Sequence, residues 1–301
     1  MVRVSLLSNS VVSAAETPLK NNKLAMIKVL EVYAYQYLVD NFGNVPYTEA
    51  LDMENATPVY DDASTIYDAI ITDLQAAASS FDVSAGAGSF ASADIIYGGD
   101  IEKWKKLAYT LHLKLGIRLA DVNASKAQTM IQASVSAGIF ESNDDSALFN
   151  FINTEPLWNP VYDYFVFDSR NSDFVATTSA LELLQNLSDP RVNVIYDDNI
   201  EGGMVGGVYA AEGNSFASLT HLNPAWTDDP TLPGNMMDYS LAMFDLAEAA
   251  ARGFISGDAA TYYNLGVEAS FAYFDISDSV SDYLTANPYD AANWKESIGT
   301  Q

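Results

Sequence analysis

The stretch Leu24-Ala25-Met26-Ile27-Lys28-Val29-Leu30-Glu31-Val32-Tyr33-Ala34-Tyr35-Gln36-Tyr37-Leu38-Val39-Asp40-Asn41-Phe42-Gly43-Asn44-Val45-Pro46-Tyr47 carries the first long regular pattern of the chain. Leu24, Ile27, Leu30, Ala34, Tyr37 and Leu38 recur at spacings of three and four, the period of a helix, and predict its apolar face. Gly43 follows Phe42, where a helix C-terminus favours a left-handed residue, and Pro46 blocks resumption. Outward from there, Asp61, Asp62 and Ser64 suit the start of a second helix with Ile66, Tyr67, Ile70, Ile71, Leu74 and Ala78 facing inward. The small, flexible composition of Ser84 to Ser89 predicts a connection. Helices are predicted from about Glu102 to Leu119 and from about Ser125 to Ala137.

Three zones follow: a helical scaffold over 17–140, a loop-rich zone over 141–233 and returning helices over 234–301. The middle zone is rich in Asn, Asp, Gly, Ser and Pro, carries Trp158 and Trp226, and offers only Ala180 to Leu187 as secure helix. So long a loop-rich span inside a compact chain points to function. Beyond it, Met237, Leu241, Phe244, Leu246, Ala249 and Ala250 form one helical face ended by Gly253. A further helix starts near Asp258 and runs towards Phe274. No alternating strand of useful length appears. The predicted class is all-α, with helix pairs that suggest tetratricopeptide-like packing and one loop-decorated face.

The 301 residues include 14 basic and 40 acidic side chains, a net charge of −26. So negative a chain lacks the clustered cations that a nucleic acid or a bare anionic membrane requires. Hydrophobic residues at 49% and aromatics at 12% are too many for a disordered acidic chain. The absence of cysteine removes disulfides, thiolate nucleophiles, Cys-ligated zinc and iron–sulfur clusters. No apolar stretch reaches the roughly 18–20 residues of a membrane span. Arg3 precedes a run from Ser5 to Ala15, but Ser8, Asn9 and Ser10 interrupt it, which makes a poor signal segment.

Five segments, in order, resemble the SusD/RagB family. They are Leu38 to Ala50 (LVDNFGNVPYTEA); Ile66-Tyr67 with Asp73-Leu74 and the alanines behind it; Asp94 to Asp100 with Lys103 to Ala108; Asp189-Pro190-Arg191; and Phe244 to Gly253 (FDLAEAAARG). The resemblance spans about Val32 to Ser270. It implies a SusD-like helical scaffold and a surface-exposed outer-membrane lipoprotein of the Bacteroidetes type. Such a protein binds oligosaccharides, in some cases peptides, and caps a SusC-like TonB-dependent transporter without catalysis. Relatives begin with an acylated cysteine and are considerably longer, so this chain reads as a fragment. Membrane contact is then expected only through a lipid anchor that this chain does not carry.

Sugar recognition needs flat apolar faces beside polar groups. In the loop-rich zone Trp158, Asn159 and Tyr162 lie together, Arg170 sits in an Asp/Ser/Asn run, and His221 precedes Trp226. These six are the candidate ligand-binding residues, the alternative being that they pin loops to the scaffold. Trp104, among lysines on a helix, reads as core. Arg191 reads as the partner of an acid.

Asp197 to Gly202 starts like a calcium loop, but Val208 stands at the twelfth position, where a carboxylate is needed. His112 and His221 cannot by themselves build a zinc site. The glycine pairs at 202–203 and 206–207 fit no phosphate loop, and no G-x-S-x-G occurs. No catalytic residue, metal or cofactor is expected. The charge favours neutral over acidic glycans, since carboxylates within a Debye length of roughly 8 Å repel uronates. The competing readings are a helical-repeat module whose ligand is the transporter itself, and a RagB-like peptide receptor.

Overall fold

The computed structural model describes residues 8–85 and 90–301. Part of the Ser84 to Ser89 connection and the start of the Arg3 to Ala15 run lie outside the described residues. The chain forms two compact units. One takes the chain up to Glu141 with Arg252–Ser256; the other takes Ser142–Ala251 with Gly257–Gln301.

The first unit holds α1 (Thr17–Phe42), α2 (Ala63–Ser80), α3 (Ile101–Leu119) and α4 (Ala124–Ala137). Their ends are where local chemistry puts them. Gly43 adopts φ 70° behind α1, and its N–H donates to the Val39 carbonyl. Asp62 accepts from the Ser64 and Thr65 amides, Asp100 from Lys103 and Asn123 from Lys126. α1 packs on α2, and α3 and α4 form a helical hairpin. That hairpin closes tightly at Gly116, where a Cβ would stand 2.9 Å from Ile131 Cγ1. Ile66, Tyr67, Ile70, Ile71, Leu74 and Ala78 of α2 are all buried, as their spacing predicts. Trp104 is buried too, its Nε1 donating to Asp94 Oδ2 at 2.7 Å.

α1 departs from the sequence reading. Its buried side is Asn22, Ala25, Met26, Val29, Val32, Gln36 and Val39. Leu30, Ala34, Tyr37 and Leu38 are exposed, and Leu24 and Ile27 are half-buried. α1 is apolar on nearly all sides, so spacing alone does not choose the inward face. The small and β-branched residues pack inward, and the buried amides that come with them are satisfied. Asn22 Nδ2 donates to the Asp82 carbonyl at 2.9 Å, its Oδ1 accepts from the Asp82 amide at 2.8 Å, and Gln36 donates to Asp40.

The second unit holds α5 (Thr178–Asn186), α6 (Tyr239–Ala251), α7 (Ala259–Tyr273), α8 (Val280–Ala286) and α9 (Trp294–Gly299). Its core joins Ala247, Tyr263, Val267, Phe271 and Tyr283. Gly266 admits the Phe244 ring, which a Cβ would meet at 2.9 Å, so α6 and α7 approach closely. Met237 is not in α6. It ends β2 (Gly234–Met237), because Asp238 Oδ1 accepts from the Leu241 amide at 2.7 Å and starts the helix after it.

β2 pairs antiparallel with β1 (Ala147–Phe149), in register Ala147 with Met237 and Phe149 with Gly234. This short pair draws together the two ends of the loop-rich zone. Asp189 and Arg191 form a buried pair, Nη2 to Oδ2 2.5 Å, and the guanidinium lies 5.2 Å from the Phe271 ring centroid and 2.9 Å from Ser270 Oγ. The fold is all-α, built on helix pairs, with strand pairing among the described residues confined to β1–β2 and isolated bridges.

Candidate functional site

The loop between β1 and α5 is organised around Asn159-Pro160. Asn159 caps a single helical turn, Oδ1 accepting from the Val161 amide at 2.7 Å, and Pro160 occupies the first position, where its missing N–H costs nothing. The rest of Asn159 holds a second loop. Its Nδ2 donates to the Leu232 carbonyl at 2.6 Å and its amide to the Pro230 carbonyl at 2.7 Å. Asn159 is buried, with both ends of its amide engaged.

The turn then widens into a π-helical turn over Asp163–Phe167, a geometry that re-aims side chains and recurs at functional sites. Trp158 donates Nε1 to Asp163 Oδ1 at 2.8 Å, and its half-buried ring sits 5.4 Å from Tyr162 and 5.0 Å from Phe167. Phe174 stacks on Phe165 at 5.1 Å and 18° and meets Tyr164 at 5.5 Å. Arg170 lies over Tyr164 at 5.0 Å, with Asp173 Oδ2 accepting from Nε at 2.7 Å and from Nη2 at 2.5 Å. The hydrogen bonds of Asp173 and its charge hold the Arg170 pKa above its ordinary value.

Two members of this cluster turn outward: Phe167 is 57% exposed and Phe174 45%. These are the flat apolar faces, with an exposed guanidinium–carboxylate pair beside them. Sequence reading chose Trp158 and Tyr162 and passed over both phenylalanines. The signal was the density of aromatics, Tyr162 to Phe167 and Phe174, around one Asn-Pro turn.

A second Asn-Pro turn lies alongside. Asn223 Oδ1 accepts from the Ala225 amide at 3.0 Å, and the Pro224–Thr227 turn packs against Pro160–Tyr162. Trp226 donates Nε1 to the Val194 carbonyl at 2.8 Å, while its ring lies 6.4 Å from Tyr273 and 5.5 Å from Phe274. Tyr273 and Phe274 also line a cavity of about 280 Å3 with Asn143, Asn235 and Asp238, which no sequence pattern marked.

The structure thus brings Trp158, Asn159, Tyr162 and Trp226 into neighbouring turns, with Arg170 further along the first loop. His221 folds onto Phe216, rings 3.6 Å apart at 7°, and donates Nε2 to the Phe216 carbonyl at 2.7 Å. In the calcium-like stretch, Asn199 uses its side chain on the Leu219 carbonyl and the His221 amide. Among the described residues no group of three or more His, Cys, Asp or Glu could hold a metal ion. The two turns present aromatic faces, hydrogen-bonding groups and the Arg170–Asp173 ion pair.

Against this geometry, residues 4–301 match the sequence family described as starch-binding and associating with the outer membrane, SusD-like. The chain belongs to this SusD-like family.

Solved structures agree over nearly the whole chain. A chitin-binding protein is 29% identical with a TM-score of 0.82, covering 99% of this chain and 66% of its own. A SusD homolog from Parabacteroides distasonis is 26% identical with a TM-score of 0.80, covering 97% and 63%. A SusD-like protein from Bacteroides thetaiotaomicron is 29% identical with a TM-score of 0.74, covering 87% and 55%. The chain therefore spans just under two thirds of the first two relatives and about half of the third. Among functionally curated proteins none matches. The helical scaffold is the SusD-like one, and the family supports a glycan-binding role. Among the described residues no helix is long and apolar enough to cross a membrane.

Proposed function

We propose that this chain is the glycan-holding part of a cell-surface receptor at the outer membrane. It binds a neutral oligosaccharide on the Trp158–Phe174 loop and hands it, unmodified, to a SusC-like TonB-dependent transporter. The observation that carries the reading is the pair of outward rings, Phe167 and Phe174, fixed on an aromatic base beside Arg170 and Asp173. The chitin-binding relative favours β-linked amino-sugar chains among neutral glycans. Trp226 with Tyr273 and Phe274 supplies a further contact, and Asn159 acts by holding the loop.

Covering one exposed ring face at about 25 cal/mol per Å2 stabilises a complex by about 1–2 kcal/mol. Two or three such faces with hydrogen bonds give a Kd of roughly mM to µM, suited to cargo that must be released. Calorimetric titration with chitin-derived, starch-derived and uronate oligosaccharides tests the reading. Saturable binding of a neutral class is expected, weakened about tenfold by Phe167→Ala with the circular dichroism unchanged. Preference for the uronate, unchanged affinity in Phe167→Ala, or release of new reducing ends during incubation would each defeat it.

A further inference from the structure

The charge of the chain is divided unevenly between its two units. The unit formed by Ser142–Ala251 and Gly257–Gln301 carries three basic and 24 acidic side chains, a balance of −21 out of −26. The other unit holds 11 basic and 16 acidic side chains, so the excess belongs to the unit that bears the aromatic loop. Its three cations are all occupied. Arg170 is held by Asp173, Arg191 is buried against Asp189, and Lys295 lies 5.4 Å from the Trp294 ring centroid. On the loop each outward ring has an exposed carboxylate as its chain neighbour, Asp168 after Phe167 and Asp173 before Phe174. Asp173 is committed to Arg170 and Tyr164, whereas the Asp168 carboxylate makes no hydrogen bond or ion pair among the described residues.

Building on the glycan reading above, we infer that this surface takes a β-linked amino-sugar chain with free, protonated amines, held more tightly than its neutral counterparts. In such a chain each sugar has a flat C–H face, and the 2-ammonium leaves from the ring edge. A sugar stacked on Phe167 thus brings its ammonium to the side, within reach of a carboxylate adjoining the ring. The aromatic face itself attracts a cation, and an ammonium–carboxylate hydrogen bond is stronger than one between neutral groups. A neutral sugar gains only the stacking and ordinary hydrogen bonds. A uronate meets the same field with the wrong sign, and the cation beside the rings, Arg170, is already neutralised by Asp173. The field of the whole unit also draws cationic chains in from a distance, an effect that salt screens.

Calorimetric titration of the purified chain in mildly acidic, low-salt buffer compares three β-1,4-linked chains of equal length. One is glucosamine with free amines, one is N-acetylglucosamine, and one is glucose, which carries a hydroxyl where the amine stands. The glucosamine chain should bind at least about tenfold tighter than either neutral chain, and added salt should narrow the gap. Asp168→Asn should cut that preference at least about threefold with the circular dichroism unchanged, while Phe167→Ala should weaken all three chains. An oligolysine of equal charge, which has no sugar face, should bind far more weakly than the glucosamine chain. Equal affinity for the glucosamine and glucose chains overturns the charge assignment and leaves the glycan reading standing. Undiminished preference in Asp168→Asn, or oligolysine binding as tight as the glucosamine chain, overturns it too. Binding of none of the three sugars defeats the glycan reading and the charge assignment with it.

Discussion

α2 and the Leu157–Phe174 loop are both rich in large apolar side chains, and they use them in opposite ways. In α2 the backbone satisfies its own hydrogen bonds, so Ile66, Ile70 and Leu74 are free to disappear into the core. The loop's internal ladder is limited to short turns at Pro160–Tyr162, Asp163–Phe167 and Asn171–Asp173. Its backbone is held by borrowed groups, Asn159 to the Pro230–Leu232 segment above all, and its rings stack on one another with Phe167 and Phe174 left outside. The scaffold turns apolar area into stability. The loop turns part of it into a surface that a ligand can cover, and rigidity comes from polar ties instead.

The sharpest way to break this contrast is Leu74→Ala. Emptying a fully buried site in α2 should cost about 2–5 kcal/mol, read as a shift in the denaturant midpoint, with glycan affinity per folded molecule unchanged. A change below about 1 kcal/mol would put the scaffold on the loop's footing.

Next comes acid. His112 is buried on α3, its Nδ1 2.8 Å from Ser134 Oγ, and Ser134 donates its own proton to the Met130 carbonyl. Nδ1 is therefore the donor, and burial pushes the pKa down to about 4, which leaves the ring neutral at pH 7. The unfolded chain takes up this proton near the ordinary histidine value of about 6.5, the folded one only near 4. Between those values the unfolded state binds more protons, so stability falls as pH falls, by about 2 kcal/mol from pH 7 to pH 5. Urea midpoints across this range should slope less steeply in His112→Gln than in the parent; an unchanged difference would remove His112 as the cause.

Smallest in stability is Asn159→Ala. Loss of the cap and of the bond to the Leu232 carbonyl should cost about 1–2 kcal/mol. The loss should register in hydrogen exchange of the Trp158–Phe174 loop while α1–α4 protection stays as it was. Protection lost evenly over both regions would erase the distinction.

The parts of this molecule legible in the sequence are those governed by neighbours along the chain. The inward face of α2, the caps at Asp62 and Asp258, the stop at Gly43 and the buried Trp104 follow from spacing and local hydrogen bonding. The same reading gave Arg191 an acidic partner, found in Asp189, while its placing of the ligand face over 141–233 stays a proposal. It chose the wrong flank of α1, because a helix with apolar residues on every side carries no bias of its own.

For the proposed site it named Trp158 and Tyr162, and the structure adds Phe167, Phe174, Tyr273 and Phe274 as candidates. Which ring of a cluster faces outward depends on the π-helical turn and on which rings stack beneath. Tyr273 and Phe274 meet Trp226 only through a contact between residues far apart in sequence. By itself the sequence determined most of the helices, many of their ends and the family, since each depends on period, capping and order of motifs. Only the tertiary structure decided which apolar surface was left over, on α1 and on the loop, because exposure is what remains after packing partners have been chosen.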